Sequence, residues 1–295
     1  MLLPTPDPVV IDVAPPTRRA AIASLFTTGY ALAAAPVAAA AITTDDVGLT
    51  IADVTYRAAG GYKLPAYMAR PAAQGRYPAV IVVNEIFGIH AYIKDVCRRL
   101  AKLGYVAIAP DYFDRAGDPS QAKDMASIRP IVEAAAQSQV MADTQATIRF
   151  LKRQRFVADD KLAITGFCWG GTIVWLAAAS FPEIKAGAAW YGRLSPRKPG
   201  DFGYTEGMRS PIEEAGKLTA PVLGLYGEKD QGIPLTEVEA MRAALAAAGN
   251  AKSEIIVYPG AQHGFHADFR PSYNEAAAVD AWARMLAFFK ANGVA

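Results

Sequence analysis

One stretch, an apolar run that ends in Gly-x-Cys-x-Gly-Gly, constrains the fold of this chain more than any other. The run covers residues 161–167, Cys168 follows it, and a helical pattern of small residues begins directly afterwards. The spacing predicts a strand that turns sharply into a helix at Cys168, because only near side-chain-free residues fit two positions before and after such a turn. The positive end of the helix dipole would favour a thiolate there, as in a nucleophile elbow. The alternative is a small buried cysteine in the core.

Strand and helix signals alternate from about residue 47 to the C-terminus. Residues 49–57 and 63–70 alternate in polarity around Gly60-Gly61 and predict an antiparallel hairpin at a sheet edge. Wholly apolar runs such as residues 79–83 instead predict parallel strands that are covered on both faces. We therefore expect a single α/β domain over residues 45–295, with a mostly parallel sheet and helices on both faces.

The first 44 residues differ from the rest of the chain. Residues 1–16 are rich in proline, and Thr17-Arg18-Arg19 precede an uncharged run that contains Ala38-x-Ala40. Paired arginines, an apolar middle and a small-residue end are typical of a twin-arginine export signal. We predict a leader over residues 1–44 and a periplasmic protein; the alternative is a cytoplasmic protein that retains its leader. Pro36 argues against a stable membrane span.

Composition argues against several classes of function. The formal net charge of +2, without a dense basic block, argues against a nucleic-acid partner. Two cysteines cannot form a disulfide scaffold or a structural zinc site, and three histidines are too few for a histidine-rich metal site. We expect no metal and no cofactor. Cys97 lies on the apolar side of a predicted helix over residues 91–103 and is expected in the core.

Three polar residues, Cys168, Asp230 and His263, each lie just past a predicted strand. The active site of a parallel α/β sheet lies beyond the carboxyl ends of its strands, and the order nucleophile, acid, histidine is that of an α/β-hydrolase. Cys168 would attack an acyl carbon, His263 would take its proton, and Asp230 would orient His263. His266 is the second choice for the histidine, and His90 would at most line the pocket.

Two backbone amides are predicted to bind the oxyanion that forms during acyl transfer. The turn supplies the amide of Trp169, the residue after the cysteine, and the loop after residues 77–83 most naturally supplies that of Ile86. Both N–H groups would donate to the developing negative charge.

Five motifs between residues 84 and 263 extend this constellation: Asn84-Glu85-Ile86-Phe87-Gly88, Asp111-Tyr112-Phe113-Asp114-Arg115, Gly166-Phe167-Cys168-Trp169-Gly170-Gly171, Trp190-Tyr191-Gly192 and His263. Together they resemble the dienelactone hydrolase family, also called carboxymethylenebutenolidases, in its motif order. The resemblance covers about residue 47 to the C-terminus. It implies an α/β-hydrolase that cleaves a small ester or lactone through a cysteine nucleophile and an acyl-thioester, without a cofactor.

The resemblance also implies roles for single residues. The triad of the family maps to Cys168, Asp230 and His263, and its glutamate before the oxyanion loop maps to Glu85, which in the family contacts the resting thiol and takes part in activating it. Arg115 matches an arginine that binds the substrate carboxylate. The further residues expected to bind substrate are Tyr191, Phe87 and Tyr112.

One departure from the family concerns the substrate. The family prototype has a second carboxylate-binding arginine four residues after the histidine, where this chain has Ala267; Arg270 either replaces it or stays outside the site. Two alternatives therefore remain: a general carboxylesterase or thioesterase of small acyl substrates, or a catalytically dormant homologue that binds a ligand. Monomer and dimer both remain open.

Overall fold

The apolar runs of the sequence become an eight-stranded sheet in the computed structural model, which describes residues 41–295. The strands are β1 (Leu49–Arg57), β2 (Lys63–Pro71), β3 (Tyr77–Val83), β4 (Val106–Pro110), β5 (Val157–Phe167), β6 (Ile184–Trp190), β7 (Val222–Gly227) and β8 (Glu254–Tyr258). Their order across the sheet is β1-β2-β4-β3-β5-β6-β7-β8, and only the pairs β1–β2 and β2–β4 are antiparallel. The predicted mostly parallel α/β sheet with an antiparallel edge hairpin is confirmed.

The central strands are apolar because both faces of the sheet are covered. All residues from Ala79 to Val83 in β3 are fully buried, and so are residues 162–167 of β5. A strand with one face in water would alternate in burial instead. Helices on both faces, as the apolar runs predicted, account for this burial.

The described residues, 41–295, also form seven α-helices. They are α1 (Ala91–Lys102), α2 (Met125–Ala134), α3 (Gln137–Lys152), α4 (Trp169–Ser180), α5 (Pro211–Glu214), α6 (Leu235–Ala247) and α7 (Glu275–Ala291). Cys97 is fully buried on the apolar side of α1, as expected.

The polar pattern of residues 121–155 predicts one long helical region, and the structure divides this region into α2 and α3. Its sequence gives little sign of the break, since alanines surround it. The second helix begins at Gln137, whose side chain exchanges two hydrogen bonds of 2.8 Å with the backbone of Arg209. Arg209, more than 70 residues away in sequence, is therefore hydrogen-bonded to the first residue of α3.

The first described residues are hydrogen-bonded to α1. The backbone N–H of Thr44 donates to Asp95 (2.6 Å), and Arg98 donates to the carbonyl of Thr44 (2.8 Å). Nearly all of the predicted leader lies outside the described residues. Within residues 41–295, no helix is both long and apolar enough to cross a bilayer.

Candidate active site

Cys168 lies on a tight turn between β5 and α4. Its φ of 55° and ψ of −116° are an uncommon combination for a residue with a side chain. A Cβ added to Gly166 would lie 2.5 Å from the carbonyl oxygen of Gly170, and one added to Gly170 would lie 2.5 Å from that of Val83. These contacts explain why glycine flanks the cysteine at both positions.

The end of β6 supports the same turn from the other side. The backbone N–H of Cys168 donates to the carbonyl of Trp190 at 3.0 Å. A Cβ on Gly171 would lie 2.5 Å from that carbonyl oxygen, and one on Gly192 would touch the backbone of Gly171 at 2.3 Å. The turn is thus held between β3 and β6, and Cys168 is only 5% exposed.

Asp230 and His263 meet beyond the ends of β7 and β8. His263 donates from Nδ1 to Asp230 Oδ2 at 2.8 Å, while the backbone amides of Gly232 and Ile233 donate to the other carboxylate oxygen. The two loops are joined directly, since the N–H of Lys229 donates to the carbonyl of Ala261 at 2.8 Å. The Asp230 side chain is fully buried and the His263 ring is 23% exposed.

The electrostatic surroundings of His263 favour its charged form. Burial alone would lower its pKa, but Asp230 and then the adjacent Cys168 outweigh burial and raise the pKa well above the ordinary value. The three predicted triad residues are therefore in contact, in the sequence Cys168–His263–Asp230. A cysteine beside such a histidine is the arrangement that nucleophilic acyl transfer requires.

The amides of Ile86 and Trp169 are both available near the cysteine. Trp169 is the first residue of α4, so its N–H has no partner within the helix. Ile86 is buried in the loop after β3, and within residues 41–295 neither amide donates to a protein acceptor. Both donors predicted to bind an oxyanion are consequently unengaged.

Glu85 is fully buried and forms an ion pair beside the triad. Its Oε2 accepts from Arg270 Nη2 at 3.0 Å and from His90 Nε2 at 3.3 Å. Burial would raise its pKa, but Arg270 and then His90 lower it to about 2, so the carboxylate is ionised at neutral pH. Its other oxygen has no hydrogen-bond partner in the described part of the chain.

Arg270 enters this site, which answers the question that Ala267 left open. Its guanidinium lies about 5 Å from the ring centres of both Phe87 and Phe269. Burial would lower its pKa, but Glu85 and then Cys168 raise it. Its Nε lies buried without a hydrogen-bond partner among residues 41–295, which leaves one charged donor uncommitted.

Arg115 and Tyr112 are held by α3. Arg115 donates from two nitrogens to the buried carboxylate of Asp143 (2.6 and 2.9 Å), and its guanidinium lies 3.8 Å from the ring centre of Tyr62. The hydroxyl of Tyr112 hydrogen-bonds to Thr144 at 2.9 Å, and its ring is fully buried. The 23% exposure of the Arg115 side chain leaves it open to a ligand, and its substrate role stays a prediction.

Tyr191 and His266 belong to an aromatic layer under the site. The Tyr191 ring contacts His263 edge-on, with ring centres 5.1 Å apart. His266 is stacked on Phe167 and Trp282, and it shares a hydrogen bond with the Tyr92 hydroxyl. Burial and then Arg99 lower the pKa of His266 to about 3, so it stays neutral. The structure thus pairs Asp230 with His263 rather than with His266.

Three features of this site were not found from the sequence. These are the Arg270–Glu85 pair, the hydrogen bond from His90 to Glu85, and the Tyr92–His266 pair. Arg270 lies 185 positions from Glu85, on an irregular loop whose path no periodicity predicts. The spacing of His90, five residues after Glu85 in one loop, was the only available signal.

Comparisons with known proteins point the same way as the geometry. The model of the dienelactone hydrolase family matches residues 64–293. A protein of Methylorubrum extorquens named "Putative carboxymethylenebutenolidase" is 47% identical over 283 residues, covering 95% of this chain and 94% of its own. The crystal structure of a "Putative Dienelactone Hydrolase" from Klebsiella pneumoniae matches with a TM-score of 0.76 and 46% identity, covering 82% of this chain and 98% of that one.

A further relative has a more specific name. The "Probable 2-oxo-3-(5-oxofuran-2-ylidene)propanoate lactonase" of Bradyrhizobium sp. is 37% identical over 229 residues, covering 76% of this chain and 88% of its own.

Proposed function

Because this chain belongs to the dienelactone hydrolase family and is a hydrolase of that type, we propose that it cleaves a lactone or ester through a thioester on Cys168. The observation that carries the proposal is the contact series Cys168–His263–Asp230 at the carboxyl edge of the sheet. The cysteine lies at the N-terminus of α4, where the helix dipole favours an anion.

The first half of the reaction forms the thioester. The sulfur of Cys168, whose proton has passed to His263, attacks the carbonyl carbon, and the C=O electron pair moves onto the oxygen. The amides of Ile86 and Trp169 donate to that oxyanion. When the oxyanion collapses, the bond to the leaving oxygen breaks, and this oxygen takes the proton from His263.

The second half consumes one water molecule. His263 takes a proton from the water as the hydroxide adds to the thioester carbon, and the same two amides bind the new oxyanion. The carbon–sulfur bond then breaks, the acid product leaves, and the proton returns to Cys168. Asp230 holds the His263 ring in the orientation that both halves need.

For the substrate, we propose a small lactone or ester that carries a carboxylate. The uncommitted Nε of Arg270 supports this choice, since a buried guanidinium donor beside the nucleophile is suited to an anionic oxygen. The lactone named for the Bradyrhizobium relative is a propanoate, and so also an anion. The aromatic ring of Phe87 packs against the Arg270 guanidinium and offers an apolar surface to the lactone ring.

One observation favours the alternative of a neutral ester. The guanidinium groups of Arg270 and Arg115 already pair with buried carboxylates, those of Glu85 and Asp143. Each positive charge is therefore partly neutralised before any substrate binds. The kcat/KM ratio between a charged lactone and its neutral ester separates the two candidates.

The thioester can be tested by acid-quenching the enzyme during turnover of a slowly hydrolysed aryl ester and measuring its intact mass. We expect an added acyl mass on the peptide that contains Cys168, removable by hydroxylamine, in the wild type and in Cys97→Ala. Cys97 is the matched control, because burial raises its thiol pKa and it lies in the core. An acyl group on another residue, or turnover in Cys168→Ala equal to that of the wild type, would refute the proposal.

A further inference from the structure

We propose that Asn84 is a positioning residue, which holds the peptide between Glu85 and Ile86 so that the Ile86 N–H faces the oxyanion. This inference rests on the proposed function, because it concerns the same acyl-transfer step. Asn84 is the first residue of a motif that carries the family resemblance, but neither that resemblance nor the triad geometry gives its side chain a role.

The first support is a hydrogen bond inside the loop. Asn84 is fully buried, and its side-chain nitrogen Nδ2 donates to the backbone carbonyl of Glu85 at 2.7 Å. A carbonyl can only accept, so the amide nitrogen must face it and the orientation of the Asn84 side chain is determined. The backbone N–H of Gly88 donates to the same carbonyl at 3.2 Å.

The second step follows from the geometry of a peptide. In a trans peptide the C=O and the N–H point in opposite directions, and all peptide bonds in the described part of the chain are trans. Two donors that fix the Glu85 carbonyl on one side therefore fix the Ile86 N–H on the other. Rotation of this single peptide would remove one oxyanion donor without moving Cys168 or His263.

The third support is the contact between this loop and the cysteine turn. A Cβ on Gly170 would lie 2.7 Å from the carbonyl oxygen of Asn84. The N-terminus of α4, which carries the Trp169 amide, is thus packed against the segment that leads into Ile86. The two predicted donors belong to backbone segments in direct contact.

The fourth support is a cost that packing alone does not explain. The side-chain oxygen of Asn84 is buried and has no hydrogen-bond partner within residues 41–295. An unsatisfied buried acceptor destabilises the fold, and an apolar side chain of similar size would avoid that cost. The donor at Nδ2 is what asparagine contributes here and leucine would not.

The test compares Asn84→Asp and Asn84→Ala with the wild type. Aspartate keeps the shape but as a carboxylate has no donor, so both variants lose the hydrogen bond to the Glu85 carbonyl. We expect kcat for an aryl ester to fall about 10- to 100-fold, less than the 10²- to 10³-fold typical of deleting an oxyanion donor outright, with KM within about twofold.

Two readouts separate positioning from a general defect. The first is the kcat/KM ratio between phenyl acetate and phenyl thionoacetate, whose sulfur accepts hydrogen bonds weakly. The wild type should prefer the oxygen ester strongly, and both variants should lose most of that preference. The second is the alkylation of Cys168 by iodoacetamide, which forms no oxyanion and should keep its wild-type rate and stoichiometry.

An unchanged kcat in both variants would overturn the inference. So would an equal loss on the two substrates, or an alkylation rate that falls together with kcat, since these indicate damage to the cysteine or the fold. Failure of the proposed function appears separately, because Cys168→Ala would then hydrolyse phenyl acetate as fast as the wild type.

Discussion

At the scale of single residues, the charges around Cys168 form two opposed pairs. One pair is Asp230 with His263, and the other begins with Glu85, a buried carboxylate whose negative charge also interacts with His263. Arg270 offsets Glu85 with an ion pair of 3.0 Å. A buried pair of this kind is costly to break on one side, because the remaining charge is left uncompensated. Because the pair lies beside Cys168, we propose that it serves the chemistry rather than the stability of the fold.

The first prediction concerns the charge of the substrate. Arg270→Gln removes the buried guanidinium, and a charge-assisted hydrogen bond of this kind contributes about 1.5–3 kcal/mol. We expect the kcat/KM ratio between a dienelactone and its neutral methyl ester to fall at least about tenfold. Steady-state kinetics on the two substrates measure it, and a ratio within one enzyme is independent of how much protein is folded.

Arg115→Gln is the matched control for that ratio. Its guanidinium is bound to Asp143 and stacked on Tyr62, so we expect the ratio to change less than in Arg270→Gln. An unchanged ratio in Arg270→Gln would support the neutral esterase instead. A larger change of the ratio in Arg115→Gln than in Arg270→Gln would indicate that Arg115 binds the substrate carboxylate, as the family resemblance implies.

Sequence order was enough to identify the residues that meet as Cys168, Asp230 and His263. Cys168 directly follows β5, while Asp230 and His263 lie three and five residues past the ends of β7 and β8, and parallel strands bring such positions to one edge of the sheet. Arg270 could not be placed in the same way, because it lies within an irregular loop between β8 and α7. Short loops after strands are predictable from topology, whereas the interior of a longer loop depends on tertiary contacts.

At the scale of elements, the turn between β5 and α4 depends on close backbone packing. A Cβ added at Gly170 would lie 2.5 Å from the Val83 carbonyl oxygen, which is closer than real Cβ contacts allow. We predict that Gly170→Ala lowers the free energy of unfolding by at least about 2 kcal/mol and abolishes most activity, because α4 must move away from β3. Urea denaturation and ester hydrolysis measure the two effects.

Gly216→Ala is the control for this substitution. An added Cβ there meets only an ordinary contact at 4.0 Å, and its φ lies outside the left-handed region. We expect its stability and kcat to remain close to wild type. Wild-type stability and activity in Gly170→Ala would contradict the account of the turn.

Strands and helices with clear apolar runs or strong periodicity were predicted well, whereas the break inside the long helical region was not. The sequence pattern of about residues 275–291 predicts a terminal helix, which coincides with α7, and the expected hairpin coincides with β1 and β2. The break between α2 and α3 was missed because alanine favours helix on both sides of it. Contacts from Arg209, and not local preference, accompany that break.

At the scale of the whole molecule, a chain of contacts joins the N-terminal segment to the site. Asp95 of α1 binds the N–H of Thr44 and pairs with Arg99, which also pairs with Asp268. Asp268 lies in the loop that carries Arg270, so the first described residues and the site loop are fastened to the same helix. The export signal upstream of this segment, and with it the periplasmic location, stays a prediction from the sequence.

The most direct test of the central claim is hydrolysis of a dienelactone by the wild type and by Cys168→Ala, followed as loss of ultraviolet absorbance. The account predicts turnover by the wild type and none above background in the variant, because the sulfur forms the intermediate. Equal turnover by both proteins would contradict the cysteine mechanism. Cys168-dependent cleavage of a neutral aryl ester without dienelactone turnover would contradict the proposed substrate class, and no turnover of either would favour a dormant homologue.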